Sequence, residues 1–405
     1  MGAVDAVIRI DNSNVHVDLR GFRINGGAVA NHAVLGNGAH ITVHNGSVVF
    51  TEDAAIDLAG ANNSVRDLTL VNANAIRETA IRLGSGGRVA DCSLRTSGDI
   101  AVGAVSIVAR CTLTNQLDAL KLGAGTIATD IAIDGIGSVD ADSLIEMGSG
   151  CVLSRVTIRN AFNRAVVGAD DCAIYDSTFS NTSVGGSIGP NTVIGLLDGG
   201  HVRNVRISSW GTTAIAMNSG IVESTIIRDV TGTAIDMDSG RVEGCTIIGS
   251  ATGVDIERRG IIRSTTVDSP SVLGITVGDE CLVVDCAVSR SAGAGISLDN
   301  NSEARGNRLR VNAAEGIIAL SDAHVIGNHL DGDPILITGA DNVVDANVIT
   351  DAFGSAAITV NLAGNLIIRN RVAGDASNFS IAAGNDVGTI TSSPVGAGAF
   401  DNLLY

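Results

Sequence analysis

Aromatic rings are nearly missing from this chain. Of its 405 residues 2% are aromatic: seven Phe, two Tyr and one Trp. A large core packed on rings is thereby excluded, because rings carry much of the buried area in ordinary enzyme domains. No run reaches the roughly 18–20 uninterrupted apolar residues of a membrane-spanning helix, so membrane insertion is not expected. The seven cysteines are odd in number and form no Cys-x-x-Cys, which argues against a disulfide framework and a thiolate zinc site. The fifty glycines do not recur every third residue, which excludes collagen. No basic segment with an apolar core precedes the strand-like Val7 to Ile10, so no signal peptide is read. Among 26 basic residues Lys121 is the single lysine, and the net charge of −17 repels phosphate backbones, so nucleic acid is not an expected partner. The same field disfavours anionic membranes and, without intervening cations, polyanionic sugars.

What is present is small, apolar and periodic. Hydrophobic residues make up 45% of the chain, too many for disorder. Glu223-Ser224-Thr225-Ile226-Ile227, Glu243-Gly244-Cys245-Thr246-Ile247 and Arg263-Ser264-Thr265-Thr266-Val267 recur at one constant spacing. Each repeat holds three short alternating segments parted by Gly, Asn, Asp or Ser, and no helical periodicity competes. Three short strands per repeat stack in register only if the chain coils as a solenoid, each strand pairing with its counterpart one turn away.

One column follows the start of the second strand: Val17, Ile41, Leu68, Cys92, Cys111, Ile131, Val156, Ser177, Val205, Thr225, Cys245, Thr265 and Cys286. It ends in Asn307, Asn328, Asn347 and Asn370. Small and apolar residues giving way to four asparagines predict an inward ladder of stacked amides. The cysteines of this column are read as small core residues, as are Cys151, Cys172 and Cys281 in a second column. Cross-turn disulfides for Cys92 with Cys111 or Cys151 with Cys172 stay open. About 17 turns at roughly 4.8 Å each give a rod on the order of 80 Å. We expect a solenoid over 1–382 and a capping segment over 383–405, where the repeat fades and Phe400 and Tyr405 appear.

The segments Ile326-Gly327-Asn328-His329-Leu330, Asp345-Ala346-Asn347-Val348-Ile349 and Ile368-Arg369-Asn370-Arg371-Val372 resemble the right-handed parallel β-helix repeat. Pectate-lyase-like proteins and NosD-type carbohydrate-binding and hydrolase modules share that repeat. The opening stretch from Ile8 to Phe22 is similar to a first turn of such proteins, and the likeness spans essentially the whole chain. It implies an all-β, right-handed, single-stranded parallel β-helix, polysaccharide as a partner, and a secreted, periplasmic or cell-surface location. It assigns no catalytic residue. The Gly-His-Gly and Asn-Thr-Asp motifs of polygalacturonases are absent, and Asp333-Pro334 is followed by Ile335 where alginate epimerases have His.

Chemistry is expected on the solvent face of the third strand, where alternation turns every second residue outward. That column reads Arg82, Lys121, Glu146, Gly195, Ala216, Asp236, Asp255, Thr276, Ser297 and Thr359. Lys121 and Glu146 fall on adjacent turns, with Asp118, Asp140, Asp142 and Arg164 at the strand starts around them. Carboxylates beside cations on a rigid sheet suit sugar chemistry, one carboxyl acting as acid or base and a cation stabilising charge; the same charges also read as a salt-bridged, solubilising surface. In a lyase, Lys121 or Arg164 would take the proton beside a uronate carboxyl. Asp236 and Asp255, with Asp238 and Glu257 nearby, form a second acidic pair, read either as repulsion tolerated on a solvated face or as a site for calcium. Asp331-Gly332-Asp333 reads as a turn. Gly185-Gly186-Ser187-Ile188-Gly189 spells a nucleophile elbow but lies in a glycine-rich insertion with no α/β sheet to hold it. His40 and His44 share a face without a third ligand, and no histidine metal site is expected. A non-catalytic structural or adhesive solenoid, of a cell surface or a phage tailspike, is the competing reading. Ice binding is set aside because the outward threonines Thr276 and Thr359 are isolated.

Overall fold

A computed structural model describes residues 4–26, 30–49, 53–71, 79–95, 98–116, 118–135, 143–161, 164–181, 192–352, 356–374, 379–393 and 397–404. The described residues are all-β, without helix, in two compact units, Met1–Gly211 and Thr212–Tyr405. The units hold about fifteen turns of parallel β-solenoid between them, slightly fewer than the sequence count of 17. In each unit short strands pair in parallel with their counterparts one turn away.

The alternating pattern sets the three stacks of unit 1. The first stack turns Val65, Val89, Val108, Ala128, Leu153 and Ile174 inward, and the second turns Leu70, Leu94, Leu113, Ile133, Ile158 and Phe179. The third supplies Ile56, Ile81, Ile100, Leu120, Ile145 and Val166. All of these are essentially buried. Phe179 is the one aromatic among the largest fully buried side chains, which agrees with a core too narrow for many rings. Unit 2 repeats the arrangement, with Ile235, Val254, Ile275, Ile296 and Ile317 in its third stack.

Between first and second strands the chain turns through one left-handed residue per turn. Asp91, Arg110, Asp130 and Arg155 in unit 1, and Ser264, Asp285, Gly306, Gly327, Ala346 and Arg369 in unit 2, have φ between 49° and 65°. Gly, Asn and Asp tolerate this conformation, whereas other residues pay a steric penalty at Cβ. Stacking also aligns charge there: Arg110 reaches Asp91 and Arg155 reaches Asp130, both at 2.6 Å.

The residue after that corner is the ladder column. Asn307, Asn328, Asn347 and Asn370 are buried, and each sends its backbone N–H and its Nδ2–H to Oδ1 of the asparagine one turn on, at 2.9–3.1 Å. Asn402, 32 residues past Asn370, adds a fifth rung that the sequence spacing hides. A second ladder, Asn342–Asn365–Asn385, runs at another corner with the same geometry. Two members of the sequence column move. Val17 pairs with Val43 and Val43 with Val65 in the first stack, while Gly46 precedes Leu68 in the ladder column. The early turns are longer, so an even spacing counted back from Leu68 misses the register. All seven cysteines are buried and free, so the cross-turn disulfides left open by the sequence are not formed. Strands within 383–405 continue the stacking: Asp386–Val387 pairs with Leu366–Ile368, and Asn402–Leu404 with Arg371–Ala373.

Candidate functional site

The third-strand stack of unit 1 presents Asp57, Arg82, Ala101, Lys121, Glu146 and Val167 in one register column. Lys121 and Glu146 are direct neighbours, as their spacing predicts. Asp118 enters from the start of the same strand, with Oδ2 3.6 Å from Lys121 Nζ. Arg164 is exposed and in register with Ser143, three residues before Glu146, so it stands at the margin of the cluster. Asp140 and Asp142 lie outside the described residues, as does the Gly185–Gly189 segment.

The closest partner of Lys121 is one the sequence reading did not single out. Asp99 Oδ2 lies 2.8 Å from Nζ, and Asp99 is only 3% exposed. Its other oxygen, Oδ1, is buried without a hydrogen-bond partner. The same device occurs two turns earlier, where buried Asp57 holds Arg82 Nη1 at 2.8 Å through Oδ2 and leaves Oδ1 unpartnered. Each half-exposed cation is thus tethered from below by a carboxylate that lacks full compensation. A signal for Asp99 did exist. It stands one residue before the inward Ile100, where neighbouring turns carry Ala80 and Ala119. An aspartate among alanines breaks the repeat.

Burial pushes the Lys121 ammonium toward the neutral form, but its hydrogen bond to Asp99 and the charges of Asp99, Asp118 and Glu146 outweigh that. Its pKa is therefore raised above the ordinary 10.5. Lys121 is a fixed cation at neutral pH, suited to stabilising negative charge and unsuited to abstracting a proton. Arg164 is unsuited as well, since a guanidinium does not deprotonate in proteins. The groups of this cluster with acid–base capacity are Glu146 and Asp118.

In unit 2 the outward column reads Asp236, Asp255, Thr276 and Ser297. Burial is the largest cause of the raised pKa at both aspartates. Asp238 and Glu257 add to it at Asp236, and Asp236, Glu257 and Asp299 at Asp255. Among the described residues no three His, Cys, Asp or Glu side chains converge as a metal site. The calcium expectation therefore rests on this pair alone.

No protein-family profile matches the chain, and no curated protein matches it. Solved structures do resemble it. The periplasmic alginate epimerase AlgG aligns over 76% of each chain at 11% identity, with a TM-score of 0.40. A mutant tailspike protein of E. coli bacteriophage HK620, in complex with pentasaccharide, covers 84% of this chain and 71% of its own at 12% identity and 0.34. PfbA, a surface adhesin of Streptococcus pneumoniae, covers 83% and 85% at 10% identity and 0.32. At these identities and TM-scores the likenesses carry no argument about what this chain binds or does.

Proposed function

We propose that this protein is an extracytoplasmic solenoid that binds and processes polysaccharide on the outward third-strand face of unit 1, around Lys121 and Glu146. The observation that carries the reading is Asp99. A buried carboxylate with one oxygen unpartnered costs about 1–3 kcal/mol, more than an exposed surface ion pair returns. Such costs are concentrated where charge serves binding or chemistry. Arg82 and Lys121, two turns apart and about 10 Å from one another by strand spacing, mark out a track for an extended chain. The track carries two cations against the carboxylates of Asp57, Asp99, Asp118 and Glu146. A neutral glycan, offering hydroxyls to charged groups, fits this balance better than a polyuronate. Acid–base work falls to Glu146 and Asp118, with Lys121 and Arg82 as positioning cations.

Lys121 being the only lysine, lysine-selective labelling yields one side-chain signal at the site. Titration with neutral and uronate oligosaccharides should move that signal with the neutral set, and a polysaccharide panel, with and without calcium, should release reducing ends. Glu146→Ala should abolish release and Lys121→Ala should weaken binding. Absence of any shift or turnover, or turnover indifferent to both substitutions, removes the site. The alternative, a non-catalytic adhesive or structural solenoid, is favoured by the commitment of Lys121 to Asp99 and Asp118. It predicts binding without turnover, or neither.

A further inference from the structure

His16 and His44 lie on successive turns of the first stack of unit 1, in strands His16–Asp18 and Thr42–Val49. His16 is in register with Thr42 and Asp18 with His44, so the two imidazoles meet on the diagonal. Their rings stand edge to face with centroids 4.6 Å apart, and the two Nε2 atoms are 2.5 Å apart. That is closer than an ordinary hydrogen bond to nitrogen. Behind His44, Asp18 Oδ1 lies 4.0 Å from Nδ1. The Asp18 carboxylate is fixed by the Arg20 backbone N–H at 2.9 Å and by Asn45 Nδ2 at 3.0 Å. At 4.0 Å the carboxylate makes no hydrogen bond to Nδ1, but its negative charge favours a proton there, which leaves the Nε2 lone pair on the side of His16. Two imidazole nitrogens facing one another across 2.5 Å, with a carboxylate on the far side of one ring, form a donor set that a borderline metal ion enters once the rings part.

We propose that Nε2 of His16 and Nε2 of His44 bind a divalent transition metal, zinc or copper, with water completing the coordination. A tetrahedral ion with Zn–N bonds of 2.0–2.1 Å sets its nitrogens about 3.3 Å apart, so the rings need to part by only about 0.8 Å. Arg66, in register with His44 on the next turn, is drawn to Asp67 at 2.7 Å. With no third protein ligand among the described residues, this is a two-donor, exchangeable site rather than a structural zinc centre. Along the sequence the near neighbour of His44 is His40. The partner is 28 residues away and becomes adjacent through the coil.

The test uses the full chain. Calorimetric titration with zinc chloride should show saturable binding of one ion per chain. Cupric ion bound to the wild type should show electron-paramagnetic coupling to two imidazole nitrogens. His16→Ala and His44→Ala should each weaken zinc at least tenfold, and His44→Asn, which keeps a polar side chain, should do the same. His40→Ala should leave binding unchanged. Far-ultraviolet dichroism checks that each variant keeps its fold, and the copper spectrum of the wild type stands independently of them. A plain N–H···N hydrogen bond predicts no saturable binding. That outcome, or binding unaffected by loss of either histidine, overturns the proposal.

Discussion

Asp333 is the residue where the solenoid invites its own improvement. It is fully buried, and it accepts the Asn312 backbone N–H on Oδ1 at 2.7 Å and Asn312 Nδ2 on Oδ2 at 2.8 Å. It therefore occupies a position equivalent to an asparagine rung but carries an ionisable group. Burial raises its pKa from 3.8 to about 6, with the charge of Asp331 adding and the Asn312 donors opposing. The folded state thus holds the proton more tightly than the unfolded state. Relative stability is fully present below pH 3.8 and is lost as pH rises through about 6. At about 1.4 kcal/mol per pH unit the loss reaches about 3 kcal/mol above pH 7, and about half of that has accrued by pH 5. Asp333→Asn removes the titration and lets one Oδ1 accept both Asn312 donors, as in the ladders. Urea unfolding should find the variant more stable by about 3 kcal/mol at pH 8 and by about half as much at pH 5. A variant less stable than wild type at pH 8, or a gain that does not change with pH, would refute the argument.

Three further predictions bear on the same framework. Asn328→Ala in mid-ladder strands the Asn307 N–H and Nδ2 donors that Asn328 accepts and should cost about 2–4 kcal/mol in urea unfolding; a loss under 1 kcal/mol would deny the ladder its energetic role. Ala346→Gly, at φ 55°, relieves a Cβ penalty of roughly 1–2 kcal/mol against an unfolded-state entropy cost of about 0.4–1 kcal/mol. It should raise the melting temperature, and a lowered one contradicts the assignment of strain. Titration of the Lys121 side-chain signal should give a pKa above 10.5 in the wild type and a value closer to 10.5 in Asp99→Asn. Equal values in both proteins would exclude the Asp99 tether.

The stacks were legible because a solenoid writes its three-dimensional neighbours into a linear period. Thr265, Cys286 and Asn307 become neighbours in space by the same step that repeats them in sequence. Legibility failed where the period stretched. Val17 and Ile41 fall outside the column that an even spacing assigns them because the early turns are long, and Asn402 escapes that spacing because it lies 32 residues beyond Asn370. The candidate site was half legible. The outward register of Lys121 and Glu146 follows from alternation, but the ion pair that sets the behaviour of Lys121 depends on Asp99 reaching across from the preceding turn. A role for Lys121 as a base presupposes freedom from such partners, whereas Arg164 is excluded as a base by the guanidinium itself. Asp331-Gly332-Asp333 read as a turn, and nothing local in it signals that Asp333 points inward at Asn312.

A repeat architecture also changes what counts as a functional signal. In an irregular enzyme a buried aspartate has no expected alternative, so its presence alone says little. Here every column states what its position ordinarily holds, and departures can be weighed against that standard. Asp99 replaces the alanine of its neighbours, and Asp333 replaces an amide. The two departures differ in what they touch. Asp333 has both oxygens satisfied by one partner residue and faces the core, so its cost is confined to stability and to pH. Asp99 leaves an oxygen unpartnered and fixes a cation on the solvent face, so its cost is borne where a ligand can meet the result. The same comparison separates Asp236 and Asp255 from the Lys121 cluster. Those two carboxylates stack on consecutive turns without a cation in their column, and their raised pKa values follow from burial and mutual repulsion. A departure from the column that exports a fixed charge to the surface is the mark we take for function, and in unit 1 Asp99 with Lys121 carries it.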